Sequence, residues 1–294
     1  MAEAADASVP GSSSDGLYAL LSSIQSVDGG DGIDTLSAGD FQLRWTYLWN
    51  ARDASGGTYQ ATDPVSGQTW SVDFRNIESV VGSAYNDALM ANTQITSLNG
   101  GAGDDTLTAA MDSPNPSYLR GGEGADVISG GLTFDDINGN QGNDTAHGWE
   151  DDDWVVGGKG EDRLFGDQGR DIVYGNIGDD TCDGGADADT VRGGQGDDVL
   201  TGGDGADWLS GDLGSDTVSG GSGADVFHAF AGAGIDRITD FNRAEGDRIL
   251  LDAGSTFSVA QSGADTVITI GDGAQVVLAG VAMSSLTGDW IGVG

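Results

Sequence analysis

One nine-residue pattern repeats without a break from Gly121 to His228, and it limits what the chain can fold into. Its form is G-G-x-G-x-D-x-apolar-x, and the first of twelve successive copies reads GGEGADVIS. In all twelve copies the first residue is Gly, the sixth is Asp and the eighth is apolar. So short and strict a period is typical of a solenoid, in which each copy stacks on its neighbours.

The glycines predict a tight turn in the first six residues of each copy, because glycine reaches positive φ at no steric cost. At the second position Asn or Asp, which tolerate positive φ best, usually replaces a missing Gly, and Trp149 is the exception. The last three residues predict a short strand whose middle side chain points inward. The expected core is a single row formed by Ile128, Ile137, Ala146, Val155, Leu164, Val173, Cys182, Val191, Leu200, Leu209, Val218 and Phe227.

Two copies complete one turn of such a coil, so aspartates 18 residues apart lie on the same side. The first predicted ladder consists of Asp126, Asp144, Asp162, Asp180, Asp198 and Asp216. The second consists of Asp135, Asp153, Asp171, Asp189, Asp207 and Asp225.

The ligand set of these ladders favours calcium, which takes about six to eight oxygens from carboxylates and backbone carbonyls. On each side of the coil, one turn offers a single carboxylate together with glycine carbonyl oxygens. Each ion therefore needs ligands from two successive turns. Five gaps in each ladder predict about ten ions. The turns with Thr133, Asp151 or Asp187 at the fourth position are expected to distort their sites. The predicted glycine ligands are Gly121, Gly139, Gly157, Gly175, Gly193 and Gly202.

This run of copies resembles the repeats-in-toxin family, whose hemolysin-type nonapeptides bind calcium. The resemblance implies an all-β fold, a right-handed parallel β-roll solenoid that is disordered without calcium. It also implies type I secretion from a Gram-negative bacterium through an uncleaved C-terminal signal. The expected location is therefore extracellular or at the cell surface.

The repeat continues in weaker form on both sides of the central run. An isolated copy spans Gly29–Ser37, and degenerate copies from residue 82 include Asp105, a predicted ligand. A further copy supplies Asp236, also a predicted ligand. We therefore place the roll at 82–239, a C-terminal antiparallel β cap with the secretion signal at 240–294, and a disordered or short capping segment at 1–27.

Residues 28–81 contain the first copy and an insert that interrupts the repeat. The segment FQLRWTYLW alternates aromatic and polar residues, which predicts a strand with Trp45 and Trp49 on one face. A second run, TWSVDFR, predicts a partner strand in a β-hairpin or meander. Such aromatic faces pack on their own protein or stack on sugars.

The net charge of −37 excludes nucleic acid and anionic membrane surfaces as electrostatic partners. It also destabilises a compact metal-free form, and about ten divalent ions would cancel about 20 charges, so we expect folding and metal binding to be coupled. Cys182 is the single cysteine and allows no intramolecular disulfide. No stretch reaches the ~18 apolar residues of a membrane span, and no apolar segment of a cleavable signal peptide is evident near the start.

Catalytic residues are not predicted. The two histidines, His147 and His228, are 81 residues apart, and neither H-E-x-x-H nor G-x-S-x-G occurs. An Asp in a calcium ladder is a ligand and not a proton shuttle.

The seventh and ninth positions of each copy should point outward, and they differ between the two predicted sheets. The sheet of the second ladder carries more apolar residues, which predicts a partner surface at Trp154, Ile172, Tyr174 and Trp208. We expect a secreted structural or interaction protein of a surface layer, matrix or adhesive assembly, binding itself or other surface components. The alternative is a carbohydrate-binding accessory module, or a small enzyme acting on polysaccharide, with Trp45, Trp49 and Trp70 contacting glycans.

Overall fold

The computed structural model describes residues 26–28, 35–37, 44–48, 56–62, 69–75, 78–271 and 273–294. Its strands form two sheets of 16 and 12 strands, the longer and the shorter sheet. In spatial order the longer sheet contains Ser26–Asp28, Thr69–Arg75, Gly56–Thr62, Arg44–Leu48, Ala88–Met90, Thr106–Thr108, Val127–Ser129, Thr145–Glu150, Arg163–Gln168, Thr181–Ala186, Val199–Gly205, Thr217–Gly223, Ile235–Ile238, Ala274–Leu278, Asp265–Ile270 and Phe257–Ser262. The shorter sheet contains Thr35–Ser37, Ser79–Val81, Ser97–Ala102, Ser117–Glu123, Asp135–Gln141, Trp154–Lys159, Ile172–Ile177, Thr190–Gln195, Trp208–Leu213, Val226–Ala229, Arg248–Leu251 and Ile291–Val293.

Successive nonapeptides alternate between the two sheets, and every second copy pairs in parallel. Val155 thus lies beside Val173 in the shorter sheet, and Leu164 lies beside Cys182 in the longer one. This register is the 18-residue turn expected from the sequence, and the chain is a parallel β-roll solenoid. The expected parallel solenoid is confirmed.

The core between the sheets is the predicted single row of side chains. None of its twelve members exposes more than 4% of its surface, and Cys182 is among them. The row continues beyond the central run through Leu98, Leu107 and Leu119 towards the N-terminus and through Ile249 towards the C-terminus. The eighth position of each copy therefore determines the interior of the roll.

Insertions lengthen three ladder steps without breaking the stack, among them the 22-residue step from Asp225 to Asp247. The segment after Thr108 makes the next ladder step 21 residues, from Asp105 to Asp126, yet Leu119 remains fully buried. The step from Asp216 to Asp236 is 20 residues. Extra residues are accommodated in surface turns, because the strand register alone positions the inward side chains.

The N-terminal part of the roll contains an antiparallel three-stranded meander formed by Arg44–Leu48, Gly56–Thr62 and Thr69–Arg75. It joins the longer sheet where Thr46 pairs with Ala88, and the buried Tyr59 hydroxyl donates to the Met90 carbonyl at 3.0 Å. The isolated first copy contributes Thr35–Ser37, which pairs with Ser79–Val81, so parallel pairing extends further towards the N-terminus than residue 82. Trp49 and most of residues 1–27 lie outside the described residues, as does the side chain of Trp45.

The C-terminal end is closed by the antiparallel strands Phe257–Ser262, Asp265–Ile270 and Ala274–Leu278. The last of these pairs in parallel with Ile235–Ile238, which attaches the cap to the roll. A 3-10 helix, Met283–Ser285, precedes Ile291–Val293, which returns to the shorter sheet. No helix within the described ranges is long and apolar enough to cross a membrane.

Candidate metal centre

A regular backbone hydrogen bond connects the aspartates of each ladder. The amide of each Asp donates to the Oδ1 atom of the Asp one turn further on, as from Asp162 to Asp180 at 2.8 Å. The second ladder repeats this contact, with 2.7 Å from Asp153 to Asp171. All twelve aspartates of the central run are buried, and in every one except Asp135 the Oδ1 atom accepts the amide of the preceding rung and so maintains the stack.

The second carboxylate oxygen has no hydrogen-bond partner in nearly every rung. This Oδ2 atom is buried and unpaired in Asp105, Asp126, Asp144, Asp153, Asp162, Asp171, Asp180, Asp189, Asp198, Asp207, Asp216 and Asp225. An unpaired buried carboxylate oxygen is costly, and one isolated case would be unusual in a folded protein. Twelve in two straight rows indicate a shared ligand that supplies positive charge.

The first glycine of each copy leaves space beside this oxygen. A Cβ atom placed on Gly175 would lie 2.6 Å from the Gly193 carbonyl oxygen and closer still to Asp180 Oδ2. The predicted ligands Gly121 and Gly139 have corresponding neighbours, and Gly157 lies against the Asp162 carboxylate. Gly193 and Gly202 also lie against the carboxylate of their own copy. Carboxylate and carbonyl oxygens therefore converge on a space that any larger residue would fill.

Burial shifts the acidity of these carboxyls strongly. Desolvation, reinforced by neighbouring aspartates, raises the pKa of Asp105, Asp153 and Asp189 to about 8. The same cause raises the pKa of Asp162 and Asp171 to about 6. The amide bonds oppose this shift without reversing it. A metal-free roll therefore disfavours its ionised form at neutral pH, and a divalent cation would remove that penalty.

The chemistry of the donors fits calcium. The nearest polar atoms to these spaces are carboxylate and carbonyl oxygens, which are the donors that a hard cation prefers. Among the described residues no group of three or more His, Cys, Asp or Glu side chains forms a metal cluster, so carbonyl oxygens have to complete the ligand shell. The ladder aspartates and first-position glycines would hold calcium between turns, and the bound ion would neutralise the facing carboxylates.

Several rungs depart from the regular pattern. Asp135 Oδ2 accepts the Gly131 amide at 2.6 Å, in the turn that carries Thr133, and its Oδ1 is the buried oxygen without a partner. In contrast, Asp151 and Asp187 both have a φ angle of 79°, so their turns keep the positive φ that glycine has at this position in other copies. The Asp135 rung in the Thr133 turn thus differs from the regular hydrogen bonding, whereas the turns at Asp151 and Asp187 retain the regular backbone.

Both ladders extend beyond the central run, and the predicted ligands Asp105 and Asp236 lie in the first of them. Asp87 precedes Asp105 in the first ladder, and Asp236 follows Asp216. Asp247 extends the second ladder beyond Asp225. Asp87 and Asp247 resemble Asp135, because Oδ2 accepts the amide of Ser83 or Asn242. The first-position glycines of the other copies were not among the predicted ligands, although the repeat marks them and they also lie against the carboxylate of their own copy. They are Gly100, Gly130, Gly148, Gly166, Gly184, Gly211 and Gly220.

Comparison with known proteins agrees with this geometry. The family model of the RTX calcium-binding nonapeptide repeat matches residues 81–112, 117–133, 130–164, 156–191 and 192–227. The chain belongs to this RTX family. Repeats of the RTX family bind calcium, and the two aspartate ladders are the part of this RTX roll suited to do so. The expected family is confirmed.

No curated protein matches the RTX chain. Solved structures that resemble it include the extracellular lipase LipA from Serratia marcescens, with 18% sequence identity and a TM-score of 0.26. The similarity covers 62% of this chain and 40% of the lipase. The matched region is thus less than half the length of the lipase.

The outer face of the shorter sheet carries the proposed partner residues. Trp154 and Ile172 are 48% and 45% exposed. Tyr174 lies under the Arg192 guanidinium, 5.1 Å from its ring centroid, and Trp208 stacks on His228 at 5.2 Å. The four residues are thus on one face, but two of them are already engaged by neighbouring side chains.

One chain of contacts on this face has the residue types of a hydrolytic triad. Ser210 Oγ is 3.3 Å from His228 Nδ1, and His228 Nε2 is 3.1 Å from Asp252 Oδ1. However, Ser210 is buried, and its hydroxyl donates to Asp212 Oδ1 at 2.8 Å, which is the shorter contact. This arrangement orients Asp212 and His228 and does not activate Ser210 as a nucleophile.

Proposed function

We propose that this chain is a secreted, calcium-folded structural or interaction protein that acts in a surface layer, an extracellular matrix or an adhesive assembly. The observation that carries the proposal is the double row of buried, unpaired carboxylate oxygens. These oxygens make the roll dependent on calcium, so its folded state is controlled by the surrounding ion concentration.

Export before folding follows from the same dependence. Extracellular calcium modules operate with dissociation constants of about 0.1 to 1 mM, a concentration absent from the cytoplasm. The family resemblance supports type I secretion, and a net charge of −37 keeps the metal-free chain expanded through self-repulsion. The protein would then fold when it reaches the outside of the cell.

Exposed apolar side chains on the shorter sheet support a role in assembly. Trp154 and Ile172 lie side by side on adjacent strands, and Tyr118 lies two strands away from Trp154 at the same register position. Each of the three side chains is about half exposed. A row of this kind favours contact with a second apolar surface. The proposed partners are other copies of the chain and further components of the cell surface.

Sedimentation velocity and light scattering of the calcium-loaded chain test the assembly role. We expect concentration-dependent association that a Trp154→Ser and Ile172→Ser double variant weakens. The matched control is Val127→Ser with Val199→Ser, because these two are 50% and 47% exposed on the longer sheet. A monomer at every concentration, or equal loss of association in both variants, would contradict the proposal.

A further inference from the structure

A groove of about 470 Å³ lies on the outer side of the shorter sheet. Its lining residues come from three neighbouring strands, Ile172–Ile177, Thr190–Gln195 and Trp208–Leu213, from His228 in the fourth strand, and from Phe230 and Asp252, which follow the fourth and fifth strands. Tyr174 pairs with Arg192 in the register, and Gly194 pairs with Asp212. Because Gly194 has no side chain, the floor between these rows remains open.

The polar groups of the groove are held in fixed positions. Asp212 is only 8% exposed, and its Oδ2 accepts both Nε and Nη2 of Arg192, at 2.9 and 2.6 Å. Ser210 holds the other oxygen of Asp212. Since this ion pair uses one edge of the guanidinium, Arg192 Nη1 has no partner among the described residues. This pre-formed arrangement can donate to a ligand with little further ordering.

Aromatic rings accompany these polar groups. The Tyr174 ring lies beneath Arg192, and Phe230 lines the opposite part of the groove, 6.1 Å from the His228 ring. His228 is also fixed from below by Trp208 and bonds to Asp252, which lines the groove. The groove thus combines ring faces with both donors and acceptors.

The charges of the groove determine which class of ligand it can take. Arg192 is already neutralised by Asp212, and Asp252 adds a further negative group. With a net charge of −37 over the whole chain, an anionic ligand would be repelled. A ligand rich in hydroxyl groups can donate to a carboxylate, accept from a guanidinium and place its C–H faces on aromatic rings.

We propose that this groove binds a neutral saccharide, with Arg192 and Asp252 recognising hydroxyl groups, Asp212 positioning Arg192, and Tyr174 and Phe230 contacting the sugar faces. The groove runs across neighbouring strands that are about 4.8 Å apart, so successive strands can contact successive units of an extended glycan. The site differs from the aromatic insert, because none of its residues comes from positions before Tyr174. The inference goes beyond assembly and does not require it.

Isothermal titration calorimetry of the calcium-loaded full chain tests this site. The probes are the neutral trisaccharides cellotriose, maltotriose and mannotriose, with trigalacturonate as the anionic comparison. We expect at least one neutral probe to bind, and Asp212→Asn to weaken its affinity about tenfold or more through loss of the charge-assisted pair. Asn tolerates the positive φ of position 212, which is 69°, so the backbone should be retained.

The matched control is Asp167→Asn. Asp167 also has positive φ, 74°, and also pairs with a basic residue of the preceding turn, His147, but it lies on the longer sheet. The affinity of the Asp167→Asn variant for the probe should equal that of the parent chain. Arg192→Lys is the second variant. It keeps the positive charge but removes the planar guanidinium group, so it should also weaken binding.

Calcium-induced folding, followed by circular dichroism in each variant, separates loss of the groove from loss of the roll. The proposal is overturned if no neutral probe binds the parent chain at millimolar concentration. It is also overturned if trigalacturonate alone binds, or if Asp212→Asn and Asp167→Asn bind as the parent does. None of these outcomes depends on whether the chain self-associates.

Discussion

At the scale of single residues, a ladder aspartate with the regular hydrogen bonding divides its carboxylate between two tasks. Oδ1 accepts the amide of the preceding rung and keeps the turns in register, as Asp180 does for Asp162. Oδ2 remains buried without a partner and faces a glycine carbonyl of the next turn. The first-position glycine is therefore required for space and not for an unusual φ, and this distinction can be tested.

Gly175→Ala should raise the calcium concentration needed for folding. Its Cβ would contact both Asp180 Oδ2 and the Gly193 carbonyl oxygen, so we expect a loss of about 1 to 3 kcal/mol from overpacking. Gly292→Ala is the control, because a Cβ there meets no atom within 4 Å. Calcium titrations followed by circular dichroism measure both midpoints. Equal midpoints for the two variants would contradict the proposed role of Gly175.

Sequence predicts these residues well wherever the repeat is strict. Asp162 and Gly175 follow directly from the period, since all twelve copies share Gly and Asp at fixed positions. The occupied second oxygen of Asp135 was not predictable in detail, because it depends on the backbone path from Gly131 to Thr133. The pair between Arg192 and Asp212 was also missed, because a one-dimensional period does not show which outward side chains meet.

At the scale of the elements, the nonapeptide is half a turn of the coil, and its strand provides only one core side chain. An element this small cannot bury enough surface alone, so its stability depends on the next turn. Strand Thr69–Arg75 was predicted from alternating apolar residues. Strand Gly56–Thr62 was missed because GGTYQAT has little alternation, and pairing with its two neighbours determines it.

The raised carboxyl pKa values predict how the metal-free roll responds to pH. Folding raises the pKa of Asp126 to about 7 and that of Asp189 to about 8, from an ordinary value of 3.8. The folded form therefore binds protons more tightly than the unfolded chain, and its stability should increase as pH falls from about 8 to about 4. Loss of negative charge acts in the same direction.

Far-ultraviolet circular dichroism of dialysed, metal-free protein across this pH range measures the effect. We expect the β signal to increase on acidification before any calcium is added. A β signal that is constant, or that decreases between pH 8 and 4, would show that the ladder carboxyls are not buried together in the metal-free roll.

At the scale of the whole molecule, folding should be cooperative, because each turn depends on its neighbours and the acidic charge opposes compaction without metal. The ladders extend through most of the roll, so a bound ion would contact two turns and each inner turn would contribute to two ions. The antiparallel strands at the C-terminal end and the meander near the N-terminus cover the ends of the solenoid, as repeat architectures require. Calcium binding should therefore order the roll cooperatively rather than one turn at a time.

The groove also belongs to this scale, because Tyr174 and Asp252 are brought together only when successive turns stack. Saccharide binding should consequently appear only after calcium has folded the roll. Self-association through the exposed residues of the shorter sheet has the same requirement.

The most direct test of the account is circular dichroism of the chain at neutral pH, first in chelator and then during titration with calcium. We expect a largely unfolded spectrum in chelator and a cooperative gain of β structure with about ten bound ions, which magnesium does not reproduce because it demands a smaller octahedral shell. A chain that shows its full β spectrum in chelator, unchanged by calcium, would contradict calcium-dependent folding of the roll.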